Sequence, residues 1–330
     1  MKVVFINGDG IGPEVMNITR RVLDVLASDQ IQWIEAHAGR RCHEATGESL
    51  PAETLALLRE HRVGIKGPTE TPSGGGFTSA NVRLRQELDL FVGLRPAVSM
   101  GLPGTRDNVN LVTFRENTEG LYACSEEQTG FTVVLTARFT AEGMRRLAAS
   151  AFVYALEHGY DHVTLVTKEN IHKVWGRLYH DAFNTVAQMQ NFRGIRVDHM
   201  LVDAMCMSLV RNPSKWGVIV TENMFGDIIS DLCAGLVGGL GVTPGANIGA
   251  QVALFEAVHG SAPDIAGMGI ANPAGLLLSG GLLLDHLGLR GLGNRLRNAI
   301  AQALRAGEWT RDIGGELNTY QFTQAVLARV

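Results

Sequence analysis

Two aspartates four residues apart, Asp227 and Asp231 in the run N-M-F-G-D-I-I-S-D over 223–231, carry the clearest chemical signal in the chain. On a helix, positions i and i+4 project from one face within a single turn. Like charges held that close repel by roughly 0.2–0.5 kcal/mol even on an exposed surface. A hard divalent cation such as Mg²⁺ or Mn²⁺ between them turns repulsion into coordination, because such ions take carboxylate oxygens. An acidic first turn favoured by the helix dipole is the plainer alternative. Three arginines, Arg85, Arg95 and Arg115, stand on separate elements, and guanidinium groups bind carboxylates bidentately. Converging, they suit a ligand with several carboxylates; singly, each reads as a solvated surface residue. Tyr122 and Lys168 can transfer protons, a lysine doing so once burial or nearby cations lower its pKa. The segment H-G-S-A-P-D-I-A-G (259–267), followed by Asn272-Pro273, suits polar recognition of a nucleotide, although an ordinary surface loop accounts for it almost as well.

Strand-like apolar runs alternating with amphipathic stretches must position these groups. Val3–Ile6, Ile31–Ala36 and Arg62–Lys66 read as strands, with helices over Pro13–Ala27 and Ala52–Glu60 between them. Pro13 suits a first helical turn. Such alternation predicts an α/β fold with a largely parallel sheet. The glycine-rich stretch Pro68–Phe77 reads as a mobile loop leading into a helix at Asn81–Leu88. Phe91–Arg95 reads as an extended run stopped by Pro96. Leu111–Arg115, Phe131–Ala137, Val163–Thr167 and Val218–Val220 read as further strands, with a long helix at Ala141–His158. The acidic helix is expected to open at Gly226. A separate small-residue helix is expected at Leu232–Leu240, packed in a core or subunit interface. Helices over Pro273–Leu287 and Gly291–Arg305 close the chain. With no linker-like segment, a second domain is expected to arise by insertion.

The opening G-D-G-I-G-P-E (8–14) invites comparison with the dinucleotide fingerprint G-x-G-x-x-G, with Glu35 at the end of the second strand as a ribose partner. Pro13 stands where the third glycine must allow close helix–strand packing, which argues against a Rossmann domain. Composition narrows the rest. The chain has 330 residues, 45% hydrophobic and 19% charged, with a net charge of −4, which suits two domains or one large α/β unit. Mild acidity without a basic run gives no footprint for nucleic acid or a membrane surface. No apolar stretch reaches the ~20 residues needed to span a bilayer. No signal-peptide pattern opens the chain, and Cys42, Cys124, Cys206 and Cys233 form no C-x-x-C pair, so a cytoplasmic protein with reduced thiols is expected.

Five ordered motifs together give a stronger signal: R-E-N-T-E-G-L-Y (115–122), K-E-N-I (168–171), N-M-F-G-D-I-I-S-D, G-A-N-I-G (245–249) and H-G-S-A-P-D-I-A-G. With G-D-G-I-G-P-E and T-R-D-I-G-G (310–315), the chain resembles the β-decarboxylating dehydrogenases, the isocitrate/isopropylmalate dehydrogenase family, over nearly its whole length. The resemblance implies a non-Rossmann fold of two α/β domains. A large cofactor-binding domain would take 1–95 plus 245–330, and a small inserted domain with the dimer interface 96–244. It implies that Arg85, Arg95 and Arg115 bind the malate carboxylates. Asp227 and Asp231, with Asp203 from the other subunit, would hold Mg²⁺ or Mn²⁺. Lys168, also from the other subunit, would serve the hydroxyl deprotonation and Tyr122 would return a proton. Thr71, Asn223, His259, Gly260, Ser261, Ala262, Asp264, Ile265 and Asn272 are the implied cofactor contacts. Shared active sites imply a homodimer.

Within that resemblance, Asp264-Ile265 occupies the place where NADP-preferring bacterial isocitrate dehydrogenases carry Lys-Tyr. A carboxylate there accepts from free ribose hydroxyls and repels a phosphate, so NAD is expected. Ser79 and Asn81 match the S-x-N with which isocitrate dehydrogenases bind the third carboxylate, where isopropylmalate enzymes carry leucines, and Lys66 in K-G-P fits the isocitrate pattern. Thr78 and Ala80 depart from it, and the G-L-Y ending of the tyrosine motif occurs in homoisocitrate enzymes too. NAD-dependent oxidation of isocitrate is therefore the expected reaction. Homoisocitrate, isopropylmalate, tartrate or a phosphonate analogue are the alternatives, with a non-catalytic regulatory subunit as the different class.

Overall fold

The computed structural model describes residues 1–71 and 79–330. The part of the expected glycine loop from Pro72 to Phe77, and Thr78, lie outside the described residues. The chain divides into two compact units, one of 1–90, 99–107 and 237–330, the other of 91–98 and 108–236.

The first unit opens with β1 (Lys2–Ile6), α1 (Gly12–Ala27), β2 (Gln32–Ala36), α2 (Arg40–Thr46), α3 (Ala52–His61), β3 (Val63–Lys66) and α4 (Ala80–Glu87). Pro13 lies in the first turn of α1, where its missing N–H costs no helical bond. The second unit carries β4 (Val92–Val98), β5 (Asn110–Glu116), β6 (Ser125–Thr129), β7 (Thr132–Thr136), α5 (Ala141–His158), β8 (His162–Thr167), α6 (Lys173–Ala187), β9 (Arg196–Leu201), α7 (Val202–Arg211), β10 (Val218–Thr221) and α8 (Asn223–Val237). The chain then completes the first unit with β11 (Pro244–Ile248), β12 (Ala253–Ala257), α9 (Ala274–His286), α10 (Arg290–Arg305) and α11 (Thr319–Leu327).

In the first unit the strands run in the order β2-β1-β3-β12-β11, parallel except for the antiparallel β11–β12 pair. Its apolar core joins Val4, Ile6, Leu50, Leu58, Leu84 and Leu254, each at most 1% exposed. At roughly 1.5–3 kcal/mol for each fully buried aliphatic side chain, this cluster ties β1 and β12 to α3 and α4. Helix α9 is buried on nearly every side, which explains why its sequence is leucine and glycine with almost no polar face. In the second unit the order is β4-β5-β10-β8-β9, with β4–β5 antiparallel. A separate hairpin, β6–β7, has every strand residue exposed.

Three expectations are corrected. Strand β4 runs through Pro96 to Val98, because a φ fixed near −65° is tolerated in extended backbone. The acidic run and the small-residue stretch are one helix, α8, ending at Val237. That helix opens at Asn223, not Gly226, because the Glu222 carboxylate accepts from Met224 N at 3.0 Å and Phe225 N at 2.6 Å. Gly226 has another reason to lack a side chain: an added Cβ would lie 2.6 Å from Arg115 Cγ.

Candidate active site

Strand β5 delivers Arg115 at its C-terminal end, and the loop beyond it delivers Tyr122. Arg115 is 3% exposed and donates through Nε to Asn223 Oδ1 at 2.9 Å. Its Nη1 pairs with Asp227 Oδ1, and its guanidinium lies 4.9 Å from the centre of the Tyr122 ring. Tyr122 Oη donates to Asp227 Oδ2 at 2.6 Å. Burial, then the Asp227 carboxylate, pushes the Tyr122 phenol above its ordinary value, so it stays a neutral proton donor through the neutral range. Burial and the charge on Asp227 also raise the Asp231 carboxyl, against the pull of Arg115 and Arg95. Arg95 is 5% exposed and donates to the Leu94 carbonyl at 3.1 Å. Tyr122, Asp227, Asp231, Arg95 and Arg115 therefore form one electrostatic group, with two acidic side chains at i and i+4 as their spacing predicts.

Lys168, just past β8, and Asp203, in the first turn of α7, form a second group: Lys168 Nζ donates to Asp203 Oδ1 at 2.6 Å. That contact is the main cause holding the Asp203 carboxyl below its ordinary value. Among the described residues of one chain, no cluster of three or more His, Cys, Asp or Glu side chains could hold a metal ion. Asp203 is thus not brought to Asp227 and Asp231 within one chain. Asn223, an expected cofactor contact, is 1% exposed; besides accepting from Arg115 it donates through Nδ2 to the Glu119 carbonyl at 2.9 Å. In the second unit it acts as a brace for Arg115.

In the first unit the turn after β1 seats the loop that holds the expected cofactor contacts. Ile11 N donates to the Ser261 carbonyl at 2.8 Å. Gly10 has φ +56°, and a Cβ there would lie 2.0 Å from that same carbonyl oxygen, so only glycine permits the contact. Ala262 also has positive φ, at 38°. His259 Nε2 and Asn272 Nδ2 are buried polar atoms with no hydrogen-bond partner, while Asn272 N donates to Asp312 Oδ2 at 2.7 Å. Orphaned donors and acceptors of this kind suit a polar ligand laid along the loop. Burial also lowers the His259 imidazole below its ordinary value, keeping it neutral. Asp264, Gly260 and Thr71 are exposed, and Ser261 and Ile265 partly so.

Ser79 caps α4 without a side-chain capping bond, and Asn81 and Arg85 follow one helical turn apart on that helix. Asn81 Oδ1 accepts from Thr69 Oγ1 at 3.0 Å. Arg85 also joins a network in which motif reading singled out Lys66 but passed over Glu256. Lys66, 1% exposed, is 2.7 Å from Glu256 Oε2; Asn247 Nδ2 donates to Glu256 Oε1 at 2.6 Å; Arg85 Nη2 is 3.6 Å from the same oxygen. Its signal was present, since a lone glutamate inside the buried strand A-L-F-E-A requires a partner.

Buried arginines, a phenol held above its ordinary value and two carboxylates one helical turn apart thus stand together in the second unit. The chain matches the isocitrate/isopropylmalate dehydrogenase family over residues 2–326 and belongs to it. It is 43% identical over 325 residues to the mitochondrial isocitrate dehydrogenase [NAD] catalytic subunit 5 of Arabidopsis thaliana, covering 97% of this chain and 86% of that one. It is 44% identical over 306 residues to the chloroplastic 3-isopropylmalate dehydrogenase of Solanum tuberosum, covering 91% and 84%. The crystal structure of isocitrate dehydrogenase from Methylococcus capsulatus superposes with a TM-score of 0.95 at 42% identity, covering 99% of this chain and 98% of that one. These matches bear out the expected family and its α/β fold. No helix of the described residues is long and apolar enough to cross a membrane.

Proposed function

We propose that the chain catalyses the NAD- and divalent-metal-dependent oxidative decarboxylation of isocitrate to 2-oxoglutarate and CO₂. The observation that carries the choice of acid is polar: Ser79 caps α4, Asn81 stands in its first turn and Arg85 in its last, a poor set of groups for an apolar isopropyl group but a good one for a third carboxylate. Isopropylmalate is kept as the second reading because the potato relative is as similar as the isocitrate enzymes. Homoisocitrate, tartrate and a phosphonate analogue would meet the same polar surface. A regulatory, non-catalytic subunit is disfavoured by the retention of Tyr122, Lys168, Asp203, Asp227 and Asp231.

Asp227 and Asp231, with Asp203 of a second copy, would hold Mg²⁺ or Mn²⁺. The Asp231 carboxyl is raised first by burial and then by the charge on Asp227, and this second, like-charge contact is the kind a divalent ion would relieve. Such an ion supplies Lewis acidity to the substrate hydroxyl and to the charge that develops after CO₂ leaves. Arg85, Arg95 and Arg115 bind and orient the carboxylates. Lys168, held by Asp203, takes the 2-hydroxyl proton as C2 is oxidised; Tyr122 then delivers a proton to the carbon that lost CO₂. The pairing of Lys168 with Asp203, apart from the Tyr122–Asp227 group, supports a homodimer in which each copy lends the lysine pair to the other. The exposed β6–β7 hairpin supports it independently, because an isolated two-stranded hairpin is marginal in water. On this reading the first unit binds the cofactor and the second carries the dimer contacts. Free cysteines suit residence in the reducing cytoplasm, although the plant relatives are organellar by name.

NAD reduction with Mg²⁺, run side by side on isocitrate, homoisocitrate, isopropylmalate and tartrate, tests the reading. Isocitrate is expected to give the highest kcat/KM and a chelator to stop turnover; preference for another acid, or turnover indifferent to chelation, overturns it. Cofactor choice has its own test. Changing Asp264→Lys with Ile265→Tyr removes a repulsive carboxylate and adds a phosphate-binding pair. The NADP/NAD ratio of kcat/KM should rise by about ten- to a hundredfold. An unchanged ratio defeats the charge argument.

A further inference from the structure

Arg115 is a guanidinium buried to 3% exposure, so its setting depends on the side chains around it rather than on water. One of them is neutral and engaged at both ends. Asn223, 1% exposed, accepts from Arg115 Nε at Oδ1 over 2.9 Å and donates through Nδ2 to the Glu119 carbonyl over 2.9 Å. The amide can stand only this way round, because a guanidinium N–H only donates and a backbone carbonyl only accepts. The carbonyl it grips is fixed in turn. Glu119 N donates to Glu116 Oε2 at 2.6 Å, and the Glu119 carboxylate accepts from Thr140 N at 2.8 Å and Thr140 Oγ1 at 2.6 Å. The stem of Arg115 lies against Gly226, three residues along α8 from Asn223. Its Nη1 pairs with Asp227 Oδ1 on the same helix. The guanidinium is therefore set by α8 together with the segment that leads to Tyr122. An amide engaged in this way is poorly placed to be the cofactor contact that motif resemblance implies.

We propose that Asn223 is a positioning residue for the acid rather than a contact for the cofactor. Its carbonyl oxygen holds the Arg115 guanidinium in the setting from which it meets a substrate carboxylate, and its N–H₂, bonded to the Glu119 carbonyl, keeps that oxygen aimed. The proposal rests on the reading of Arg115 as a carboxylate-binding residue given above. A socket of this kind should orient any guanidinium, including one no longer attached to the chain.

The test removes the guanidinium and supplies it again from solution. Arg115→Ala, Arg115→Ala/Asn223→Ala and Arg115→Ala/Asn223→Asp are assayed for NAD reduction with Mg²⁺ and the acid that the wild type oxidises fastest. Guanidinium chloride is raised through the millimolar range against sodium chloride at equal ionic strength. Rescue is expected in Arg115→Ala. The half-maximal guanidinium concentration should rise about tenfold with Asn223→Ala, which removes the orienting oxygen. It should not rise with Asn223→Asp, which keeps such an oxygen and suits the start of a helix. Damage to the fold alone would lower the rescued rate at an unchanged half-maximal concentration, and that result overturns the role. Asn223→Ser, too short to reach the guanidinium and favoured at helix starts, gives the same test should Asn223→Ala fail to fold. Calorimetry on the single variants, without turnover, decides independently of rescue. Asn223→Ala should weaken acid binding in Mg²⁺ about tenfold and leave NAD binding unchanged. A loss confined to NAD overturns the proposal in favour of the cofactor role. Acid binding weakened by Arg115→Ala but not by Asn223→Ala overturns this role alone. Acid bound by Arg115→Ala with wild-type affinity overturns the reading of Arg115, and this role with it.

Discussion

Lys168→Met is expected to reduce oxidation of the acid by roughly 10²–10⁴-fold, the span associated with removing a general acid–base group. The fold should survive. The Lys168 and Asp203 side chains are 25% and 66% exposed, and an ion pair that wet contributes little to stability. Methionine keeps the length and apolar stem of the lysine, so the variant removes the proton-transfer nitrogen while holding most of the volume. Steady-state NAD reduction, with substrate affinity measured separately by calorimetry, checks the outcome. Near-normal turnover in a folded variant would remove Lys168 from the proposed chemistry.

Lys66→Met is expected to act on stability first. The lysine is buried against Glu256, and stripping one partner from a buried pair costs about 3–5 kcal/mol because the other charge is left uncompensated. The lower end is expected here, since Arg85 stands 3.6 Å from Glu256 Oε1 and Asn247 donates to it. Adding Glu256→Gln should recover much of the loss, because the amide still accepts from Asn247 and carries no charge to strand. Denaturant midpoints of the two variants measure both effects. A double variant no more stable than Lys66→Met would show that the cost lay in packing rather than in charge.

The sequence was most legible where spacing maps directly onto geometry. Asp227 and Asp231 at i and i+4 share a helix, and Ala141–His158 has the bounds its pattern predicts. Helix boundaries set by side-chain caps were less visible: Glu222 begins α8 from a position that periodicity does not mark. Strand β6, S-E-E-Q-T, lacks the apolar alternation of a half-buried strand because it has no buried face, so only β7 was seen from composition. At the site, motif resemblance named the groups that meet ligands but not the residues that hold them. Glu256 acts through ion pairs with Lys66 and Arg85, on segments distant in sequence, and no local pattern announces such partners. Asn223 shows the reverse, a motif residue whose visible work is to brace Arg115.

Hairpin β6–β7 presents Phe131 of its turn and Val133, Val134 and Leu135 of β7 to solvent, with every strand residue of the pair exposed. In the proposed dimer its order would be lent by association, so protein concentration becomes a control on catalysis. Dilution should then loosen this arm before heat disturbs either core, with cleavage by a protease near Gly130 as the first sign.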